Sequence, residues 1–343
     1  MKGLFAVAPN PPHEAGGLAQ IARIKSLAML GRGQPAELAE RFGSTRVQKA
    51  IAAMTTGNTP DMVDMQIIVG AFVQQVRNQS VFYRLLDGMV RVPFRTRVSL
   101  VGADATAWIV GEGKPIPVSR LSLNALRLDP TKAAALIVVT EELLNSTQSE
   151  RNLSLALRRA IAVAVDRRFF STVIDGDTET IASSGTTAPA AVADIKTLLD
   201  AVAPKSESNP IFAMDPAVQR AAATLTNASG NFQFPNLTPT GGDILGIPAM
   251  PSDEIGAGRV ALLDASGIAG ESGTVTIDAS SQADIEMLAA DLVQDATTPT
   301  GTELVSMFQT NSVAIRAVAD FKAERLRDDA VAVLTGAAWA NGA

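Results

Sequence analysis

Cysteine is absent from the 343-residue chain, and histidine occurs once, as His13. Disulfides, thiolate metal sites and a cysteine nucleophile are therefore excluded, and the fold makes no demand on an oxidising compartment. His13 stands in APNPPHEAGG, a Pro- and Gly-rich stretch that reads as turn or coil. A histidine-ligated zinc site or a Ser/His/Asp triad would rest on that residue alone. Aromatic residues are also scarce, 4% against 47% hydrophobic, so the apolar character comes from small aliphatic side chains that suit broad, shallow packing. Long apolar runs are missing too. Ile67 to Val73 and Ala133 to Val139 are strand-sized, well short of the about 18 residues a membrane span needs. The opening MKGLFAVAPNPP has one lysine and too short an apolar run for a signal peptide's core, so we expect a protein made in the cytoplasm.

What is present is length enough for roughly two domains and a sizeable core. Net charge is −6, but its sign is unevenly placed: residues 1–100 carry 12 Lys/Arg against 6 Asp/Glu, which leaves 17 against 29 for the remainder. A basic arm on an acidic body has two readings. It is either ordinary solvated surface, or an arm that lies along the acidic surface of a neighbouring copy or near DNA.

Apolar residues at helical spacing predict helices over 16–30 and over 35–54, the latter opened by Pro35. TTGNTPDM separates them from a largely apolar, helical stretch over 63–92 with Asp61 as its candidate cap. From Arg95 the pattern turns to strand: RTRVSLVG, ATAWIVGEGKPIP and LSLNALRLDP form a β-hairpin arm around a Gly/Pro-rich tip. Its alternation changes phase between Leu123 and Leu126, where a bulge or twist is expected. Residues 140–170 are the clearest helical region, with Leu153, Leu157, Ile161 and Val165 on one stripe. Asp194 is expected to cap a helix over 194–203, and Asp215-Pro216 to turn a strand into a helix. Strands are expected at 259–264, 274–278 and 330–335, with a long apolar segment over 303–319. Strands and helices without regular βαβ alternation, and without an internal repeat, give an α+β class.

Chemical motifs fare poorly. GEGKP at Gly111–Pro115 is superficially similar to a phosphate loop, but the glycine spacing is wrong and proline follows the lysine, so it reads as a hairpin tip. DGDTE at Asp175–Glu179 lacks the calcium-loop spacing and reads as a helix-ending turn. Glu141 and Glu142 are adjacent, so on a helix they point about 100° apart and cannot pair; they read as charge near a helix start. Asp328 and Asp329 read as a solvated turn. No catalytic constellation, cofactor site or metal site emerges, and the chain is expected not to be an enzyme.

The series from Arg95 to Gly176 resembles the tailed-phage major capsid protein family. WIVGEGKPIPVS, with Trp108, Glu112, Gly113, Ile116, Pro117 and Ser119, is similar to that family's extended-loop signature. KAAALIVVTEELLN resembles its return strand, and Arg151–Gly176 its long spine helix. MDPAVQRAAATLTNASGNF and DILGIPAMP resemble its axial domain, and residues 304–334 its closing strands. The resemblance covers about residues 70–335 and lies in the ordered series of landmarks.

The resemblance implies an N-terminal arm (1–94), an extended β-hairpin loop (95–136), a peripheral domain with the spine helix (137–193 and 271–343) and an axial domain (194–270). It implies a structural subunit that self-assembles into hexamers and pentamers of an icosahedral shell around double-stranded DNA, in a virion assembled in the host bacterial cytoplasm. Portal protein, and scaffold, maturation protease or decoration protein, are the implied partners besides copies of itself; no membrane is involved. Trp108, Glu112, Lys114, Pro115, Ile116 and Pro117 are the implied intersubunit contacts, with Trp108 also readable as a local core residue. A cellular encapsulin-like nanocompartment shell is the alternative, and the developed loop argues against it. The first 70 residues lack the charged heptads of a cleaved scaffold, which favours a retained arm. Some relatives cross-link a loop lysine to an asparagine; here the acceptor position falls at Glu303 and the acid position near Thr310, with Asn311 close by, so no cross-link is expected from Lys114.

Overall fold

The computed structural model describes residues 17–56, 76, 79–103, 122–140, 142, 149–202, 208–281, 284–287, 303–307 and 309–339. Helical periodicity near the start becomes three packed helices, α1 (Gly17–Met29), α2 (Pro35–Phe42) and α3 (Thr45–Thr56). Their stripes supply Ile21, Ile24, Leu27, Leu38, Val47 and Ile51, all buried. The helix expected over 35–54 is interrupted because Gly43 takes extended backbone, φ −96° and ψ 147°, and its N–H donates to the Ala39 carbonyl at 2.8 Å. The next N–H, of Ser44, then donates to Gln20 Oε1 at 3.0 Å instead of continuing a helix.

In the stretch expected as helix over 63–92, the described part holds Val76 in helical conformation, a short helix, α4 (Val81–Leu85), and a two-residue strand, β1 (Val90–Arg91). A turn through Gly88 divides them, with Gly88 N–H donating to the Leu85 carbonyl at 2.9 Å. Asp61 lies outside the described residues.

The hairpin arm is realised as β2 (Arg97–Ala103) paired antiparallel with β3 (Ser122–Arg127). Its register is regular from Arg97 opposite Arg127 to Val101 opposite Leu123, so the irregularity expected between Leu123 and Leu126 is absent there. It occurs one step on, where Ala103 stands opposite Ser122 and Gly102 is the extra residue. A glycine tolerates the irregular backbone that a bulge needs, and this decides the position over the apolar phase.

The rest of the chain gives β4 (Thr131–Thr140), α5 (Ser149–Val173), β5 (Glu179–Ala182), α6 (Ala188–Val202), β6 (Pro210–Met214) and α7 (Pro216–Ala223). These are followed by β7 (Leu237–Thr238), β8 (Gly241–Ile244), β9 (Ile247–Pro251), β10 (Val260–Asp264) and β11 (Ile268–Ser280). The series closes with β12 (Asp284–Met287), β13 (Glu303–Ser306), β14 (Ser312–Arg325) and β15 (Val331–Thr335). Sheet orders are β5-β15-β10-β6-β9-β8-β7 and β1-β11-β14-β4, with two-stranded pairs β2-β3 and β12-β13. The segment expected as one apolar run over 303–319 is thus two strands, separated by a turn at Asn311, whose φ of 48° ends extended pairing.

The α5 stripe is as its sequence reads: Leu153, Leu157, Ile161 and Val165 are all buried, and Phe169 and Val173 continue it at the same spacing. Asp215 caps α7 through Oδ1, which accepts from Ala217 N–H at 3.1 Å, and Pro216 follows where no amide hydrogen is needed. Asp194 does not cap a helix. α6 begins six residues earlier, and Asp194 lies inside it, buried, its carboxylate turned to partners elsewhere.

Contacts divide the chain into two compact units, one of Met1–Arg84, Lys132–Asp166 and Thr274–Ala319, the other of Leu85–Thr131, Arg167–Gly273 and Asp320–Ala343. In the first, α1 is tied to the far half of β11: Lys25 Nζ donates to the Ile277 carbonyl at 2.7 Å, and Ser281 Oγ donates to the Met29 carbonyl at 3.3 Å. In the second, the seven-stranded sheet, with β10 buried along its whole length, packs against α6 at β10 and β15 and against α7 at β7 and β9, with Phe212, Leu262, Leu334 and Trp339 in one cluster.

Candidate assembly surface

Trp108, Glu112, Lys114, Pro115, Ile116 and Pro117 lie outside the described residues. The structure describes the root that carries them. Arg95 adopts a left-handed φ of 60°, its N–H donates to the Leu128 carbonyl at 2.9 Å, and Leu128 is fully buried with Val92 and Ala269. Above this clamp β2 and β3 pair with each other and with no further strand among the described residues. Isolated two-stranded ribbons are marginal in water, so such an arm needs another surface to lie on.

Each unit is fastened by buried carboxylates, of which sequence reasoning singled out only Asp194, and that one as a helix cap. In the first unit Asp166, on α5, sits at the N-terminus of α4. Ser80 Oγ donates to Oδ1 at 2.6 Å, Val81 N–H to Oδ2 at 2.9 Å and Phe82 N–H to Oδ1 at 3.1 Å. These are amides a helix leaves unpaired at its start, and a negative charge there is favourable.

In the second unit Asp194 accepts from Ser183 Oγ at 2.6 Å, Ser184 N–H at 2.8 Å and the Trp339 indole N–H at 2.9 Å. Burial pushes its carboxyl up, but the hydrogen bonds from Ser183, Trp339 and Ser184 outweigh that and hold it below its ordinary value. Asp264, with no exposed surface, accepts from Ser208 Oγ, Asn209 N–H, Ser266 N–H and Oγ–H, and Arg327 Nη2 at 2.7 Å. Burial again raises the carboxyl, and the serine and backbone donors lower it further than burial lifts it. Next to this joint Gly267 lies against Ala330 and Arg327, leaving no room for a Cβ.

DGDTE is a helix-ending turn as read: Asp175 Oδ1 accepts from Asp177 N–H at 3.1 Å, and Arg325 Nη2 donates to it at 2.9 Å. Asn311 sits at the turn before β14, and Thr310 Oγ donates to the Ser306 carbonyl at 3.1 Å. Among the described residues no group of three or more His, Cys, Asp or Glu is placed to hold a metal ion. No described helix is long and apolar enough to cross a membrane.

Each of these carboxylates accepts hydrogen bonds from donors within its own unit. Residues 63–336 match the model of the phage capsid family. The chain belongs to that family. It is 31% identical over 322 residues to the capsid polyprotein of Pseudomonas phage PAJU2, an alignment covering 84% of this chain and 47% of that protein. The chain therefore spans about half the length of the curated relative it matches. A solved structure from Mycobacterium phage Ogopogo aligns with TM-score 0.50 at 15% identity, covering 75% of this chain and 91% of the other. One from Gordonia phage Cozz aligns with TM-score 0.49 at 15% identity, covering 75% and 86%. The chain is a structural phage capsid subunit with an α+β fold.

Proposed function

We propose that copies of this subunit close into an icosahedral shell of hexamers and pentamers that encloses double-stranded DNA, and that the chain catalyses no reaction. The observation that carries this reading is the family match over residues 63–336, most of the chain. The paired arm on its clamped root supports it, since an extended arm buries area only when another chain receives it. Trp108, Glu112, Lys114, Pro115, Ile116 and Pro117 are proposed as contacts of that arm with the neighbouring subunit. The divisions by role are an N-terminal arm (1–94), extended loop (95–136), peripheral domain (137–193 and 271–343) and axial domain (194–270), distinct from the two contact-based units.

The shell is a virion capsid, assembled in the bacterial cytoplasm beside a portal protein, with scaffold, maturation protease or decoration protein as further partners. DNA is enclosed without sequence reading, because a net charge of −6 gives the body no tight grip on phosphate. The phage match leaves the nanocompartment reading unfavoured. Sedimentation velocity of the purified full chain tests the proposal: rings, capsomers or shells support it, and a monomer at every concentration contradicts it.

A further inference from the structure

Three consecutive residues where β14 ends reach three different parts of the second unit. Arg325, its side chain 8% exposed, spreads its guanidinium over the turn that ends α5: Nη1 donates to Thr178 Oγ1 and Nη2 to Asp175 Oδ1, each at 2.9 Å. Leu326 packs into the root of the hairpin arm, against the cluster of Val92, Leu128 and Ala269. Arg327 Nη2 donates to Asp264 Oδ2 at 2.7 Å, at the end of β10 in the seven-stranded sheet.

Local geometry leaves these residues little freedom. The Leu326 N–H donates to the Gly267 carbonyl at 2.9 Å, and Gly267 lies against Ala330 and Arg327 with no room for a Cβ, so the two segments are in direct contact. A planar guanidinium meets two acceptors in a fixed geometry, which the point charge of a lysine cannot do. The acceptors are themselves held, since Thr178 Oγ1 also accepts from Asp175 N–H at 3.0 Å.

The chain that enters the arm is tied to the same carboxylate. Asp264 accepts from Asn209 N–H at 3.1 Å, and Asn209 packs so closely on Gly88, shortly before Val92, that a Cβ there would have no space. Beyond this root β2 and β3 pair with each other and with no further strand among the described residues. The direction in which the arm leaves the fold is therefore set by what packs where it begins.

We infer that Arg325, Leu326 and Arg327 form the joint that sets the direction of the hairpin arm relative to the end of α5 and the seven-stranded sheet. Leu326 holds the root, and the arginine on each side of it holds Leu326. A change at Asp175 or at Asp264 reaches the arm through a single residue. An arm that leaves its root at one angle loses less orientational freedom when it meets another surface than an arm that swings. The three are positioning residues, and contact with another chain belongs to the arm beyond them.

The purpose of the joint rests on the shell-subunit reading, but the arm's direction is measured on unassembled subunits. The chain has no cysteine, so S99C on β2 with T197C on α6 gives the full chain one spin-label pair, and the width of its distance distribution reports how far the arm swings. R327K and L326A should roughly double that width. D175N breaks the Arg325 link at a carboxylate whose side chain is 45% exposed, and it should broaden the distribution in a chain that stays folded. W339F, a core variant in the separate cluster around Phe212, should keep the parent's width although it is less stable. The concentration at which half the protein sediments as assemblies should rise roughly tenfold for the joint variants and stay unchanged for W339F. Joint variants that keep the parent's width or assemble at its concentration overturn the inference, as does a parent already as broad as they are, or an equal broadening in W339F. A parent chain that never assembles overturns the shell reading, and the distances then still decide whether the joint holds the arm.

Discussion

Trp339 is held at both ends of its side chain: its ring is buried in the second unit's core and its indole N–H is donated to Asp194. Replacing it with phenylalanine keeps most of the apolar volume and removes that donor, leaving a buried carboxylate with one fewer partner. We expect W339F to lose about 1–3 kcal/mol in urea unfolding of the full chain, and no loss would mean that the hydrogen bond is unimportant. Asp194 and Asp264 also set a pH dependence. Both carboxyls are held below their ordinary value in the fold, so the stability they contribute is present above the unfolded value of about 3.9 and is lost as pH falls through the lower folded value. The contribution to unfolding temperature should therefore be flat from neutral pH to about pH 5 and fall below about pH 4. D264N should be less stable than the parent at neutral pH and show a shallower acid decline, and an identical decline would remove Asp264 from the account. The partners of Asp166 and Asp194 could not be found from a sequence window, because Ser80 and Asp166 are 86 positions apart and Trp339 and Asp194 are 145 apart. Asp264 gave a local hint, its carboxylate accepting from the Ser266 amide two residues on, as turn-forming aspartates do.

Elements with a strong local pattern were legible. The four-residue recurrence of Leu153, Leu157, Ile161 and Val165 is the buried stripe of α5, and Asp215-Pro216 starts α7 where its chemistry says it should. Elements set by distant contacts or by one glycine were not, as with the break at Gly43 and the register shift at Gly102. Asp194 was read as a cap because capping is the commonest role of an aspartate before an apolar run; its real partners come from Ser183, Ser184 and the far end of the chain. Two predictions belong at this scale. Ile161→Asp places an unpaired carboxylate at a position that is 1% exposed, which should cost roughly 3–5 kcal/mol and make the protein insoluble. Wild-type solubility and assembly from that variant would show the stripe to be misassigned. Deleting Gly111 to Ser119 should leave the thermal unfolding transition in place and abolish most assembly, since the root below it is clamped by Arg95 and Leu128. Loss of the transition would instead make that segment part of the core.

At the scale of the whole molecule, missing chemistry and abundant fastening point the same way. The chain has no cysteine and one histidine, and its described buried carboxylates bind its own amides, hydroxyls, indole and guanidinium. Its three N-terminal helices are packed together, and α1 is bonded to β11. Family membership was legible from the order of landmarks between Arg95 and Gly176, although no single motif among them would suffice. The central claim is that this subunit builds shells, and electron microscopy of the purified full chain tests it most directly. The account predicts closed shells, rings or capsomers of uniform size, and a field of dispersed monomers would contradict it.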